Sequence, residues 1–132
     1  MSKLAITQLD RYSIFQQKRK KIAQKYFREL PLKLCTKIAS QKSSFYRFPL
    51  WIENGYKYET TRSFFEKHNI AVRRGVDELL HQKYKINNDV FPNAENCFTC
   101  TLSIPIYANL SETSCDQIIQ AVKEFEGTKY EA

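Results

Sequence analysis

Phe45-Tyr46-Arg47-Phe48-Pro49-Leu50-Trp51-Ile52 is the stretch on which the fold class turns. Its aromatic and branched side chains favour an extended ribbon, and a period of two puts Tyr46, Phe48, Leu50 and Ile52 on one face. Pro49 has no amide proton for a ladder, so the strand is expected at a sheet edge. Asn54-Gly55 is a turn signal after it. Tyr58 to His68 then reads as a short helix with Phe64 and Phe65 inward and Asn69 closing it. Ile70 to Arg74 reads as a second strand, with Ile70 and Val72 buried and Gly75 ending it. Residues 76–92 are irregular, with a helical turn through Leu79 and Leu80 and a loop at 87–89. Phe91-Pro92-Asn93 starts a short helix with Asn93 as its cap. Leu102, Ile104 and Ile106 alternate with Thr101, Ser103 and Pro105 as a third strand.

The flanks of this region are helical. From Leu4 to Leu30 the residues Leu9, Tyr12, Phe15, Ile22, Tyr26 and Leu30 recur at helical steps with a gap at Arg19, and Pro31 stops the helix. At 1.5 Å per residue it would run about 40 Å, long for a chain of this size. Residues 31–44 are polar and basic and are left open between connector, short strand and turn. At the other end Cys115, Ile118, Ile119, Val122 and Phe125 form a stripe on a helix capped by Ser111 or Ser114, with Gly127 past its end. These elements predict one α+β domain over 1–132. A small, largely antiparallel three-stranded sheet is covered by helices in residues 45–127, and a long helix spans residues 1–30.

Hydrophobic residues make up 42% of the 132-residue chain, which is enough for a buried core and excludes wholesale disorder. With 3 glycines there is no Gly-rich phosphate loop. No apolar run has the length of a membrane span and no signal-peptide pattern is present, so a cytoplasmic protein is expected. The net charge of +7 is uneven: residues 1–47 hold 12 basic and 2 acidic side chains, residues 48–132 hold 9 and 12.

Lys18-Arg19-Lys20-Lys21, with Lys25 and Arg28, is a candidate phosphate contact. No nucleic-acid signature accompanies it, and it reads as a solvated helix face. Cys97-Phe-Thr-Cys100 has dithiol spacing. A zinc site needs two further ligands, however, and Cys35, Cys115, His68 and His81 supply no second close pair, so no metal is expected. The thiols are read as reduced. Arg73 and Arg74 end a strand, where a sheet offers side chains to a ligand, although period two turns one of them away. His81 by residue type is a surface histidine, or an acid, base or hydrogen-bond donor to substrate. Spacing assembles no catalytic dyad.

Taken in order, these segments resemble the C-terminal small domain of the DegT/DnrJ/StrS family of pyridoxal-phosphate (PLP)-dependent nucleotide-sugar aminotransferases. Leu4-Ala5-Ile6-Thr7-Gln8-Leu9 and Tyr26-Phe27-Arg28-Glu29-Leu30 resemble the family's long helix. Asn69-Ile70-Ala71-Val72-Arg73-Arg74 resembles its Gly-Ile-x-x-Arg strand, and Leu80-His81-Gln82-Lys83-Tyr84 its Leu-His-x-x-x-Tyr segment. Pro92-Asn93-Ala94-Glu95 and Leu102-Ser103-Ile104-Pro105 resemble its Pro-Asn-Ala-Glu helix and Leu-Ser-Leu-Pro strand. Ala5, Asn69 and Leu79 depart from the usual Gly, Gly and Pro.

The resemblance implies the small domain of a fold-type I, dimeric transaminase that aminates nucleotide-linked keto-sugars, usually from glutamate. It assigns substrate binding to His81 and to Arg73 or Arg74, and no catalytic, cofactor or metal residue to this chain. The Schiff-base lysine and most phosphate ligands would belong to the large N-terminal domain. The chain is therefore expected to be a truncated or split piece, not competent alone and without bound PLP, and to dimerise through its first helix or join a large-domain chain. The alternative is a small basic binding or scaffolding protein without catalytic activity.

Overall fold

The structure is a computed structural model that describes residues 3–31, 33–35, 43–52 and 57–127. Helix α1 spans Lys3–Glu29, strand β1 Phe48–Trp51, α2 Tyr58–Lys67, α3 Leu80–Lys83 and α4 Pro92–Cys100. Strand β2 spans Thr101–Ile104 and α5 Glu112–Gly127, and a 3-10 turn at Asn88–Val90 precedes α4. The turn expected at Asn54-Gly55 falls outside the described residues.

The sheet has two strands where three were expected. β1 and β2 pair antiparallel, Phe48 opposite Ile104 and Trp51 opposite Thr101. The third segment, Ile70–Arg74, is reduced to one bridge in which Arg73 and Ser103 exchange both backbone hydrogen bonds, at 3.1 and 2.6 Å. One feature stops it lengthening: an antiparallel ladder next needs a bond from residue 105 to Ala71, and Pro105 has no proton to give.

The segment starts where α2 closes. Asn69 takes a positive φ of 58°, its amide donates to Glu66 O, and Ile70 N donates to Phe65 O. This is a Schellman closure around a residue type that tolerates the left-handed region. β1 is an edge strand as Pro49 requires: beyond it, Trp51 N donates to Leu34 O at 2.8 Å. Asn93 and Gly127 differ from the expectation, and Ser111 does not. Pro92 opens α4 with no side-chain cap, so Asn93 lies inside its first turn. Ser111 Oγ accepts from Ser114 N at 3.0 Å and caps α5, which includes Gly127 as its last residue.

One face of the sheet carries the core. Phe48, Leu50, Leu102 and Ile104 are buried there with Ile70 and Val72. They pack with Ala23, Tyr26 and Leu30 of α1 and with Cys115, Ile118, Ile119, Val122 and Phe125 of α5. The expected stripe on α1 holds only over its second half. Leu9 is 67% and Tyr12 49% exposed, because the helix outruns the sheet it packs on. Tyr46 is also outside, 74% exposed, because Phe45 adopts a positive φ of 48° and turns into the core itself, so regular alternation starts only at Phe48.

Candidate functional site

The sheet's second face is partly covered: Arg47, Ala71 and Arg73 are exposed, whereas Ser103 at its centre is 7% exposed. The register sets Pro49, Ser103 and Arg73 side by side, and Arg47 and Ala71 border the same groove as Arg73 and Ser103. The side chain of Arg73 is exposed and makes no hydrogen bond or ion pair with the described residues.

Arg74, next in sequence, faces the other way. Its guanidinium carbon sits 4.2 Å from the Tyr58 ring centre and 4.6 Å from that of Phe98, and Nη2 is 3.5 Å from Glu59 Oε1. The two arginines thus divide as period two requires, Arg73 toward solvent and Arg74 into an aromatic clamp.

His81 is not a surface histidine. It is 7% exposed, stacks on Phe91 with ring centres 4.8 Å apart, and donates from Nε2 to Glu95 Oε1 at 2.7 Å. Gln82 Nε2 donates to the same oxygen at 2.7 Å. Those two hydrogen bonds hold the Glu95 carboxyl below its ordinary pKa, that of His81 contributing most. The arrangement exists because one turn of helix, α3, is closed by Lys85 at a positive φ of 57°, with Ile86 N bonded to His81 O at 2.8 Å. This closure turns residues 81 and 82 toward α4. His81 lines neither of the two grooves that Arg73 borders.

Two grooves flank Arg73. The larger, about 670 Å³, is bordered by Arg62 and Arg74 but also by Glu59, Glu66 and Asp77, so its charges largely answer one another. The smaller, about 260 Å³, lies over that second face between Arg73 and Arg47 and has no carboxylate on its walls. Sequence reading missed Arg47 and Tyr46 as wall residues. Strand parity could not reveal them, because regular alternation begins only at Phe48. All four cysteines are free thiols, and no group of three metal-ligating side chains occurs among the described residues.

The sequence profile of the DegT/DnrJ/EryC1/StrS aminotransferase family matches residues 2–123. The chain belongs to that family. No curated protein sequence matches it. Among solved structures, the aminotransferase TlmJ from Streptoalloteichus hindustanus is similar at 19% identity and a TM-score of 0.82, over 93% of this chain and 35% of that one. PseC of Helicobacter pylori, an aminotransferase involved in the biosynthesis of pseudoaminic acid, is similar at 24% identity and a TM-score of 0.69, over 94% and 36%. Spr1654 from Streptococcus pneumoniae, in its PMP form, is similar at 21% and 0.80, over 93% and 33%. This family member thus spans about a third of the length of the solved structures it matches.

Spr1654 is solved in a PLP form as well as the PMP form. Covalent anchoring of PLP needs a lysine amine facing the cofactor. Neither groove beside Arg73 has a lysine on its walls, nor does the third, about 460 Å³, between Tyr107 and His68. The grooves described here do not fit the cofactor, and no step is routed through it. Two guanidinium groups without counter-charge fit an anion.

Proposed function

We propose that the chain forms the small-domain part of a PLP-dependent aminotransferase acting on nucleotide-linked keto-sugars. Amino transfer would need the remaining two thirds of that architecture, where the resemblance puts the Schiff-base lysine. PLP when bound supplies the electron sink for carbonyl-to-amine exchange. In this reading Arg73 meets the substrate, while Arg74 and His81, both packed against neighbours, hold the shape of the mouth. The observation that carries it is the family match over residues 2–123, joined to an exposed Arg73 whose side chain makes no hydrogen bond or ion pair with the described residues. The fold likeness to sugar aminotransferases such as CalS13 from Micromonospora echinospora, at a TM-score of 0.70 and 12% identity, supports it.

The exposed half of α1 supports association with a second chain. Ile6, Leu9, Tyr12 and Ile14 are each about half exposed or more, and an apolar surface of this kind usually meets a partner.

The test is reconstitution. The chain alone, given PLP, glutamate and a nucleotide keto-sugar, should turn nothing over and should gain no mass after equimolar PLP and borohydride. Mixed with a large-domain polypeptide of the family it should restore amino transfer, and Arg73→Ala should raise KM. Turnover by the chain alone, or a stoichiometric lysine adduct on it, would overturn the reading.

A further inference from the structure

We propose that the outer edge of the Ile70–Arg74 segment docks an extended peptide, which adds to the sheet as a further strand in the groove between that edge and α2. This goes beyond the aminotransferase reading and does not rest on it.

Hydrogen bonding defines the edge. In an extended segment successive residues direct their amide and carbonyl to opposite sides. Arg73 gives both to Ser103, so Val72 turns both away from β2. Neither group of Val72 has a hydrogen bond with the described residues. Val72 is 5% exposed, and backbone groups with so little access to bulk water are nearly always paired. The opposite edge of the sheet is blunted by Pro49, which has no amide proton, and by the bond from Trp51 N to Leu34 O.

The groove has the shape for a strand. The chain reverses at Asn69, where φ is positive, so α2 and the segment stand side by side with about 670 Å³ between them. The unbroken run from Asn69 to Arg74 forms one wall, and Glu59, Arg62 and Glu66, on one face of α2, stand on the other. Strand addition takes its affinity from main-chain hydrogen bonds and its selectivity from alternate side chains. The antiparallel sense fits because a single partner residue then satisfies both groups of Val72.

Charge sets which strand fits. Arg62 is bonded to Glu66 at 2.7 Å, and Arg74 lies 3.5 Å from Glu59. Arg73 and Asp77 also line the groove and have no ion pair among the described residues. A strand running antiparallel past them answers both with an acidic residue opposite Arg73 and a basic one nearer its amino end, toward Asp77. An apolar strand leaves both charges unanswered, and a basic residue opposite Arg73 is repelled, so the edge selects its partner instead of pairing indiscriminately.

The experiment titrates the full chain with the blocked peptide acetyl-Lys-Thr-Glu-Val-Thr-Val-amide and follows backbone amide shifts and hydrogen exchange. The Val72 amide should shift and gain protection as peptide is added. The first valine of the peptide is the residue placed opposite Val72. N-methylation of that valine removes the donor to the Val72 carbonyl and should weaken binding about tenfold, the scale of one lost hydrogen bond. N-methylation of the next threonine, whose amide points away from the edge, should leave affinity as it was. This pair of peptides needs no variant of the protein. A peptide with lysine in place of its glutamate should bind about threefold more weakly and recover on Arg73→Glu, the scale of one cross-strand charge pair.

Equal affinity of the two N-methylated peptides, or a Val72 amide that does not respond to the parent peptide, overturns the docking edge. Protection of Val72 in the dilute chain without peptide does so too, since the amide then has a partner within the fold. Protection that rises with chain concentration in the absence of peptide would give the edge to a second copy and overturn the peptide assignment.

Discussion

Tyr26 Oη donates to the carbonyl oxygen of Pro105 at 2.8 Å, tying the buried end of α1 to the end of β2 across 79 residues of sequence. The ring is fully buried and meets Phe48 edge-on with ring centres 5.0 Å apart, so one side chain serves both core and sheet. Tyr26→Phe keeps the packing and leaves the Pro105 carbonyl without that donor. It should cost about 1–3 kcal/mol in chemical denaturation. Tyr26→Ala adds a cavity and should cost about 3–5 kcal/mol, the range for losing a large aromatic. Equal stability of Tyr26→Phe and the parent would show that the bond contributes nothing.

The neighbouring arginines should separate stability from binding. Arg74 is held between Tyr58 and Phe98, with a side chain 27% exposed. Arg74→Ala should lose about 1–2 kcal/mol through the ring contacts and the packing of its stem. Arg73→Ala removes an exposed side chain and should stay within about 0.5 kcal/mol of the parent. Thermal melts of the two variants side by side check this. A larger loss at Arg73 would mean that its side chain makes a stabilising contact.

The sequence carried the helices and the order of elements because their signals are local. Examples are Pro31 after α1, Asn69 after α2, and the stripe from Cys115 to Phe125. The third strand failed for a non-local reason: whether Ile70–Arg74 can lengthen depends on Pro105, some thirty residues away, as its partner. Arg73 and Arg74 were legible as a pair with opposite orientations, although which one faced out was not. His81 was misread by residue type because its burial depends on Phe91 and Glu95 folding over it. Arg47 is hidden by the same aromatic run that reveals β1, since a hydrophobic pattern marks only the core face of a ribbon.

Thiol chemistry should single out one cysteine of the four. Cys97 is exposed, whereas Cys35, Cys100 and Cys115 are buried. Burial pushes the Cys35 thiol up to about 11 and raises that of Cys115 as well. At pH 8 roughly one part in a thousand of Cys35 would then be thiolate, the reactive form. An aromatic disulfide reagent should therefore label one equivalent rapidly in the native chain and four in denaturant, and Cys97→Ser should abolish the rapid phase. A second rapid equivalent would mean that a core cysteine is accessible.

Acid should loosen the contact between α3 and α4 first. The carboxyl of Glu95 is held below its ordinary value by the hydrogen bonds from His81 and Gln82, so the folded chain releases this proton more readily than the unfolded chain does. A depressed carboxyl contributes stability that is fully present above its unfolded value, about 4.3 for a glutamate, and is lost as pH falls through the lower folded value. Protonation removes one acceptor shared by two donors, and the closure of α3 is the local structure that depends on it. Hydrogen exchange at the Ile86 amide, which is bonded to His81 O, should accelerate as pH is lowered through that window, after correction for the intrinsic exchange rate. In Glu95→Gln the same amide should show no acid-dependent step, because the amide oxygen accepts without titrating. An identical acid profile in the parent and in Glu95→Gln would assign the loosening to another carboxylate.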